Sequence, residues 1–333
     1  MRRALPLQLL AAACALPLVL SACGSDPEPT SDSSSASPSN SATPSVSNSE
    51  SDPGSSSSGA LPTVDGDFGQ PPKVDVPDEE PPSELVVKTL SKGSGAKVES
   101  DQTVFVDYLG ARWDDGQTFD ASFDSEPLNF VTGSGGIIPG FEQGLVGQTV
   151  GSRVLLVIPP DLAYGDQPPG DPIQPGDSLV FVVDILGAYS ATDSAKGSPT
   201  PIEDDSYPFV PILPKKPEIA VPPGNAPPNL VAIPVITGDG PKVKSGDTVV
   251  VQYVGVLWRN GQEFDSSWGR GVFVTEIGAG NVIKGWDQGL VGKTVGSRVL
   301  LVVPSKLGYG DQGSGKIKPG DDLVFAIDIL GAY

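Results

Sequence analysis

Histidine is absent from the 333-residue sequence, and its only two cysteines, Cys14 and Cys23, lie close to the amino terminus. Without an imidazole the chain cannot use a histidine general base, a histidine-dependent triad or a histidine-ligated metal. Without further cysteines, no disulfide framework or cysteine-rich zinc site can form in the rest of the chain. The folded part must therefore work without imidazole or thiol, and we expect no cofactor and no metal.

Positive charge is also scarce. The sequence has 21 lysines and arginines against 41 aspartates and glutamates, for a formal net charge of −20. This composition argues against a nucleic-acid partner, because phosphate contacts need a surface rich in lysine and arginine. Eleven of the acids but only one base, Lys73, lie between residues 24 and 82. Half of the net charge thus belongs to the amino-terminal region.

Residues 1–22 have the organisation of a secretory signal peptide. Two arginines precede an apolar run over residues 4–20, which is too short and wrongly flanked for an ordinary membrane span. The next residues, Leu20-Ser21-Ala22-Cys23, resemble the bacterial lipobox, which implies cleavage before Cys23 and acylation of that residue. We therefore predict an exported lipoprotein, anchored through Cys23 to the outer face of the bacterial cytoplasmic membrane. A plain exported protein cleaved near Ala22 is the alternative.

Residues 23–69 consist largely of serine, proline and acidic residues, with almost no large apolar side chains. Such a segment cannot bury enough surface to offset its chain entropy, so we predict a disordered tether. Its acidity suits a solvated stalk that keeps the folded part away from an anionic surface. An acidic tail that binds cations or a partner is the alternative.

An internal repeat determines the domain organisation. The segment 141–167 returns as 286–312, and 20 of its 27 positions are identical. A repeat of 145 residues is too long for a solenoid and suits two copies of one compact domain. We place the copies at 70–189 and 214–333. The segment 190–213 between them, rich in proline, serine and aspartate, is expected to be a semi-extended linker.

Each copy is predicted to be mainly β. Short β-branched and aromatic runs are bounded by Gly, Pro and Asp, and Asp115-Gly116 and Asn260-Gly261 are hairpin signals. Only 139–146 and 284–291 look helical, at about two turns each. The predicted fold class is α+β, with an antiparallel sheet curled around one short helix in each copy.

Four motifs recur in the same order in both copies. In the first they are Val106-Asp107-Tyr108-Leu109-Gly110, Thr118-Phe119-Asp120-Ala121-Ser122, Gly136-Ile137-Ile138-Pro139-Gly140-Phe141 and Ala163-Tyr164-Gly165. In the second they are Gln252-Tyr253-Val254-Gly255, Glu263-Phe264-Asp265-Ser266-Ser267, Asn281-Val282-Ile283-Lys284-Gly285-Trp286 and Gly308-Tyr309-Gly310. Together they resemble the FKBP-type peptidyl-prolyl cis-trans isomerases, nearly end to end in both copies. The resemblance implies an isomerase of X-Pro bonds.

Such a reaction is compatible with the missing histidine. Rotation about an X-Pro bond loses amide resonance, a barrier of about 18–20 kcal/mol, and makes or breaks no bond to the prolyl group. A dry aromatic pocket favours the twisted amide, which has less charge separation than the planar one. Each ~1.36 kcal/mol of such preference is a tenfold gain in rate.

The resemblance also implies the residues of the site in the second copy. Trp286 would lie beneath the proline ring, the Ile283 N–H and the Tyr309 hydroxyl would hold substrate carbonyls, and Asp265 would orient polar groups at the rim. The full set is Tyr253, Phe264, Asp265, Phe273, Val282, Ile283, Trp286, Tyr309, Ile317 and Phe325.

The first copy departs from the family pattern. Leu128 replaces a wall aromatic, Phe141 replaces the floor tryptophan, and the loop after Tyr164 carries three prolines. Its substrate-binding set would be Tyr108, Phe119, Asp120, Leu128, Ile137, Ile138, Phe141, Tyr164, Ile173 and Phe181. These departures indicate that the second copy is the more active one.

The predicted function is thus a tandem prolyl isomerase that assists the folding of exported proteins. Its expected partners are X-Pro segments of unfolded or exported chains and the membrane, with macrolide inhibitors of the family as candidate ligands. We expect a monomer. The alternatives are a module or holdase that grips proline-containing segments without turning them over, and a structural surface protein.

Overall fold

The computed structural model describes residues 60–333. The predicted signal peptide (1–22), the acylation site Cys23 and most of the predicted tether (23–69) lie outside the described residues. Among residues 60–333, no helix is long and apolar enough to cross a membrane.

The first repeat is an antiparallel sheet with one short helix, preceded by a ribbon of two strands. Its elements are β1 (Thr63–Asp65), β2 (Lys73–Asp75), β3 (Val86–Ser91), β4 (Thr103–Arg112), β5 (Thr118–Ala121), β6 (Leu128–Val131), α1 (Pro139–Leu145), β7 (Arg153–Ile158) and β8 (Leu179–Tyr189). The ribbon is β1-β2, and the sheet order is β3-β7-β8-β4-β5. Strands β5 and β6 pair with successive parts of β4.

After its first short strand, the second repeat has the same order of elements as the first repeat has from β3 onward. They are β9 (Ser198–Pro199), β10 (Val231–Thr237), β11 (Thr248–Leu257), β12 (Glu263–Ser266), β13 (Phe273–Glu276), α2 (Lys284–Leu290), β14 (Arg298–Val303) and β15 (Leu323–Ala332). The sheet order is β12-β11-β15-β14-β10-β9, with β13 also paired to β11. The predicted fold class is confirmed, and each helix ends one residue before its predicted end.

Each helix lies close against its sheet because glycines face the strands. A methyl group at Gly285 or Gly289 of α2 would collide with Val303 or Leu301 of β14. The opposite face of the sheet is covered as well, so all six residues of β14 are buried. Burial on both faces explains why this strand is a continuous apolar run rather than an alternating one.

A buried ion pair joins the first sheet to the segment before it. Arg153 is 2% exposed and contacts Asp184 at 2.6 Å between Nε and Oδ1. Its other nitrogens donate to the carbonyls of Gly66 and Gln70 at 2.7 and 2.6 Å. A buried guanidinium needs partners for all its donors, so this segment belongs to the folded unit. The tether predicted over 23–69 therefore does not extend to 69, because β1 already lies within that range.

The segment predicted to be a semi-extended linker (190–213) also packs on the second sheet. It contributes β9, and Val210 is buried against Val235 and its neighbours. Arg298 pairs with Asp328 at 2.6 Å and donates to the Pro211 carbonyl at 2.6 Å. The second folded unit thus begins before the predicted 214. The proline-rich composition hid this, because the few apolar residues that pack are widely spaced.

The two repeats meet through equivalent tyrosines. Tyr189 ends β8 and Tyr333 follows β15, and their hydroxyl oxygens are 2.6 Å apart. The ring of Tyr333 stacks on Phe105 of the first repeat with centroids 4.5 Å apart. A methyl group at Gly187 would collide with the Tyr333 hydroxyl, and one at Gly331 with that of Tyr189. The contact is therefore reciprocal, with the tyrosine of each repeat lying over the matching glycine of the other.

Candidate active site

A cavity of about 300 Å³ opens at the amino-terminal end of α2, between that helix, β11–β13 and the loop before β15. Nine of the ten residues predicted for the second copy line it, together with one that was not predicted. The lining is Tyr253, Phe264, Asp265, Phe273, Asn281, Val282, Ile283, Trp286, Tyr309 and Phe325.

The floor of the cavity is a cluster of edge-to-face aromatic rings. Trp286 is 4% exposed, and its ring centroid lies 5.2 Å from that of Tyr253, 5.4 Å from Phe325 and 6.0 Å from Phe273. Phe264 packs on Phe325 at 5.5 Å. Edge-to-face packing holds each ring by its neighbours, so the floor is a rigid apolar surface.

Gly255 in β11 allows this packing. A methyl group at that position would stand 2.6 Å from the Phe264 ring and 2.9 Å from the Phe325 ring, closer than carbon atoms approach. Glycine is required here by the close approach of two rings. The sequence motif Gln252-Tyr253-Val254-Gly255 therefore contains a packing requirement as well as a pocket tyrosine.

One wall of the cavity is polar. The Tyr253 hydroxyl donates to Asp265, whose other oxygen accepts from Arg270 at 2.6 Å. Burial and the hydrogen bond to Asp265 raise the pKa of Tyr253, which stays a neutral donor. Burial alone would raise the pKa of Asp265. The hydrogen bonds from Tyr253, the Ser266 backbone and Arg270 outweigh it and hold that pKa below its ordinary value.

Two donors at the cavity are available to a ligand, and a third is buried. Within the described residues, the backbone N–H of Ile283, just before α2, has no hydrogen-bond acceptor. Tyr309 is exposed at the mouth of the cavity. The indole Nε1 of Trp286 is buried and likewise has no partner among the described residues. An unpaired donor next to apolar rings can hydrogen-bond a substrate carbonyl.

Two residues differ from the predicted set of the second copy. Ile317 is 6% exposed and packs in the core cluster beneath the site, so it supports the cavity without lining it. Asn281 lines the cavity but was not predicted, because an asparagine before an apolar helix start is usually read as a turn residue. Thr275 in β13 stands where the first repeat has Phe130.

The first repeat brings together its own predicted set. Nine of the ten residues belong to one core cluster or pack against it, and Asp120 joins them as the acceptor of the Tyr108 hydroxyl at 2.5 Å. Phe141 takes the place of Trp286, with its ring 5.1 Å from Phe181. Phe130, absent from the predicted set, packs on Phe141 at 5.9 Å and compensates for Leu128.

The site of the first repeat is more closed than that of the second. Ile138 is only 8% exposed, whereas its counterpart Ile283 is partly exposed. The Tyr164 hydroxyl is buried and lacks a partner among the described residues, whereas Tyr309 is 38% exposed. Burial and the nearby Asp120 raise the pKa of Tyr164 to about 12. The tyrosines at matching positions therefore differ in exposure: the hydroxyl of Tyr164 is enclosed, whereas Tyr309 faces solvent.

A sheet with a short helix on one face, and an aromatic cavity at the start of that helix, fit the class of peptidyl-prolyl cis-trans isomerases. The comparison with protein families agrees. The family model "FKBP-type peptidyl-prolyl cis-trans isomerase" matches residues 94–186 and 240–330. The chain belongs to this family, with two tandem domains of it, and the predicted family and enzyme class are confirmed.

Several individual proteins are similar to the chain. An FK506-binding protein of Streptomyces anulatus is 47% identical over 119 residues, which are 35% of this chain and 96% of that protein. Human peptidyl-prolyl cis-trans isomerase FKBP9 is 35% identical over 218 residues, 65% of this chain but only 32% of FKBP9. The crystal structure of FkpA from Escherichia coli is 40% identical, with a TM-score of 0.29, over 31% of this chain and 47% of that one.

Proposed function

We propose that the chain isomerises X-Pro bonds without covalent catalysis, and that the cavity of the second repeat carries most of the activity. The observation that supports this most directly is the aromatic cavity of about 300 Å³ with the free N–H of Ile283 at its edge. A prolyl ring fits against Trp286, and the carbonyl before or after it can accept from that N–H.

The physical basis is preference for the twisted amide. The uncatalysed barrier is about 18–20 kcal/mol, and its height comes from resonance in the planar amide. Apolar rings on three sides remove water that solvates the planar form, and the donor at Ile283 holds a carbonyl in place while the bond turns. Neither step needs a group that titrates near neutral pH.

The proposal of unequal activity is supported by the size and exposure of residues at matching positions in the two repeats. Trp286 provides a larger flat floor than Phe141. The Tyr309 hydroxyl is accessible to a substrate carbonyl, whereas that of Tyr164 is buried. The first repeat must open its site before a proline can enter, which lowers its apparent affinity by the fraction of open molecules.

The test compares one substitution in each repeat of the full chain. We expect Trp286→Ala to lower kcat/KM on an X-Pro peptide at least tenfold and Phe141→Ala to lower it less than twofold. Trp286→Phe, which copies the floor of the first repeat, should give an intermediate kcat/KM. Because this substitution keeps an aromatic ring in the core, it controls for loss of activity through unfolding. Activity that depends on Phe141 and survives Trp286→Ala would overturn the proposed inequality. Peptide binding without isomerisation by either repeat would instead favour the proline-binding module.

We also propose that the protein works outside the cytoplasmic membrane on exported chains, anchored through an acylated Cys23. The lipobox-like Leu20-Ser21-Ala22-Cys23 supports the anchor. Mass spectrometry of the mature amino terminus should find a diacyl or triacyl cysteine, and Cys23→Ala should release the protein from membranes. An unmodified terminus near residue 22 would refute the anchor and leave the isomerase proposal intact.

Ligand range and oligomeric state can be measured with the same preparation. The name of the Streptomyces relative supports FK506-like macrolides as ligands. Quenching of Trp286 fluorescence by FK506, lost in Trp286→Phe, would establish binding in the second cavity. Light scattering is expected to show a monomer.

A further inference from the structure

The rims of the two cavities carry opposite charge, although their floors are alike. Around the second site, matching positions place Arg270, Lys284, Lys306, Lys316 and Lys318. At the same places the first repeat has Ser125, Pro139, Asp161, Asp171 and Gln174. All ten residues of the two sets are exposed.

The basic residues of the second repeat are attached to the site by short connections. Arg270 contacts Asp265, a lining residue, at 2.6 Å. Lys284 directly follows Ile283, and Lys316 and Lys318 flank the supporting Ile317. Lys316 reaches the backbone carbonyl of Glu263 at 3.5 Å, next to the lining residue Phe264.

Few of these charges are neutralised at the second rim. Asp265 is paired with Arg270, and Glu263 with Lys216. The four lysines of the rim, 284, 306, 316 and 318, form no ion pair with any residue in the described range 60–333. Two acids near this cavity are also outside any ion pair in that range: Glu276, which accepts from the lining residue Asn281 at 3.2 Å, and Asp311, two residues after Tyr309. The four lysines outnumber them, so a substrate segment that enters the second cavity meets a net positive rim.

The first rim shows the reverse. Asp120, the counterpart of Asp265, has no guanidinium beside it, because Ser125 stands where the second repeat has Arg270. Asp124 and Glu126 take the places of two glycines, and Asp161 and Asp171 lie in the loop segments around Tyr164. None of these acids is in an ion pair within residues 60–333.

We propose that the two sites select X-Pro segments of opposite charge. The second repeat accepts segments with aspartate or glutamate near the proline, and the first repeat accepts segments with lysine or arginine. This inference rests on the proposed function of the two cavities and adds the class of substrate to each. Because the charges are exposed, they act mainly on encounter and on weak rim contacts, and their effect falls with salt.

The experiment uses three peptides that differ only at two positions flanking the same Leu-Pro bond, with Glu, Lys or Ala there. In full chains carrying Phe141→Ala, which leaves the second site, we expect kcat/KM at low salt to be about three- to tenfold higher for Glu than for Lys. In chains carrying Trp286→Phe, the contribution of the first site should shift the preference toward Lys. Both preferences should shrink at 0.5 M salt.

Charge reversal provides the matched control. In the Phe141→Ala background, Lys316→Glu with Lys318→Glu should reverse the preference for the Glu peptide. Lys242→Glu with Lys244→Glu changes two exposed lysines of the same repeat on a segment that is bridged to Thr294, beyond the carboxyl-terminal end of α2 and away from the cavity, and should leave the preference in place. The inference is overturned if the ratio of kcat/KM for the Glu and Lys peptides is the same in all variants, or if that ratio does not change with salt.

Failure of the proposed function is distinguishable from failure of this inference. If no peptide is isomerised, including the Ala peptide, then catalysis is refuted while charge selection is still testable. Fluorescence anisotropy of labelled Glu and Lys peptides gives the affinities directly, and the same reversal by Lys316→Glu with Lys318→Glu is expected there. Turnover of all three peptides at equal rates refutes charge selection alone.

Discussion

Gly255→Ala should distort the second site by pushing two of its aromatic rings into the cavity. The added methyl group would lie 2.6 Å from the Phe264 ring and 2.9 Å from the Phe325 ring, so the rings must move toward the cavity. Overpacking of this kind costs about 1–3 kcal/mol. If the displaced rings meet the bound proline, the same energy appears as a loss of about 5- to 150-fold in kcat/KM.

Gly110→Ala in β4 is the matched control. A methyl group there would stand 2.6 Å from Phe119 and 2.8 Å from Phe181, so the strain is the same but falls in the first repeat. We expect both variants to lower thermal stability similarly, measured by circular dichroism, and only Gly255→Ala to remove most of the isomerase activity. Full activity of a destabilised Gly255→Ala protein would refute the link between these rings and catalysis. Loss of activity in Gly110→Ala would refute the dominance of the second site.

Three further predictions concern buried charge, pH and the two tyrosines. Arg298→Ala should lower the free energy of unfolding by about 3–5 kcal/mol in urea titration, because it leaves Asp328 buried and unpaired. The pKa of Asp265 is lowered in the folded chain, so its stabilising contribution is complete above its ordinary pKa near 3.8 and is lost as pH falls below it. Without histidine, kcat/KM should therefore be flat from pH 5.5 to 8, and a bell-shaped profile would contradict this. Tyr164→Phe should be neutral or stabilising by about 1 kcal/mol in melting experiments, because it removes a buried hydroxyl without a described partner, whereas Tyr309→Phe should lower kcat/KM.

Local sequence patterns predicted the sheet and the helices because the residues that determine each of these elements lie within a short stretch of sequence. The apolar run of β14, the hairpin signal Asn260-Gly261 and the two-turn helix before Gly292 each have a local physical cause. The site residues followed from the resemblance to the family, whose motifs lie on or next to those same elements. The fold and most of the cavity lining were therefore accessible from the sequence.

The boundaries of the folded units were not accessible in this way. The segment around Gly66 has the composition of a tether, and the segment around Pro211 that of a linker. Their order comes from distant partners, the guanidinium groups of Arg153 and Arg298, which need backbone carbonyls more than 80 residues away in sequence. The sequence of either segment gives no sign that a distant arginine needs its carbonyl groups. The depth of Ile317 has the same origin, since only the packed core shows that it lies below the cavity.

The two repeats show where divergence is tolerated in this fold. Both buried ion pairs, both tyrosine–aspartate hydrogen bonds and the close glycine–ring contacts are kept, because each has partners that a change would leave unpaired or overlapping. Rim positions such as Asp161 and Lys306 are exposed and form no ion pair within residues 60–333, so their charge can change with little loss of stability. A duplicated isomerase can therefore acquire a second specificity at its rim while its floor stays the same. In this chain the rim residues have diverged to opposite charge, while those contacts of the core are the same in both repeats.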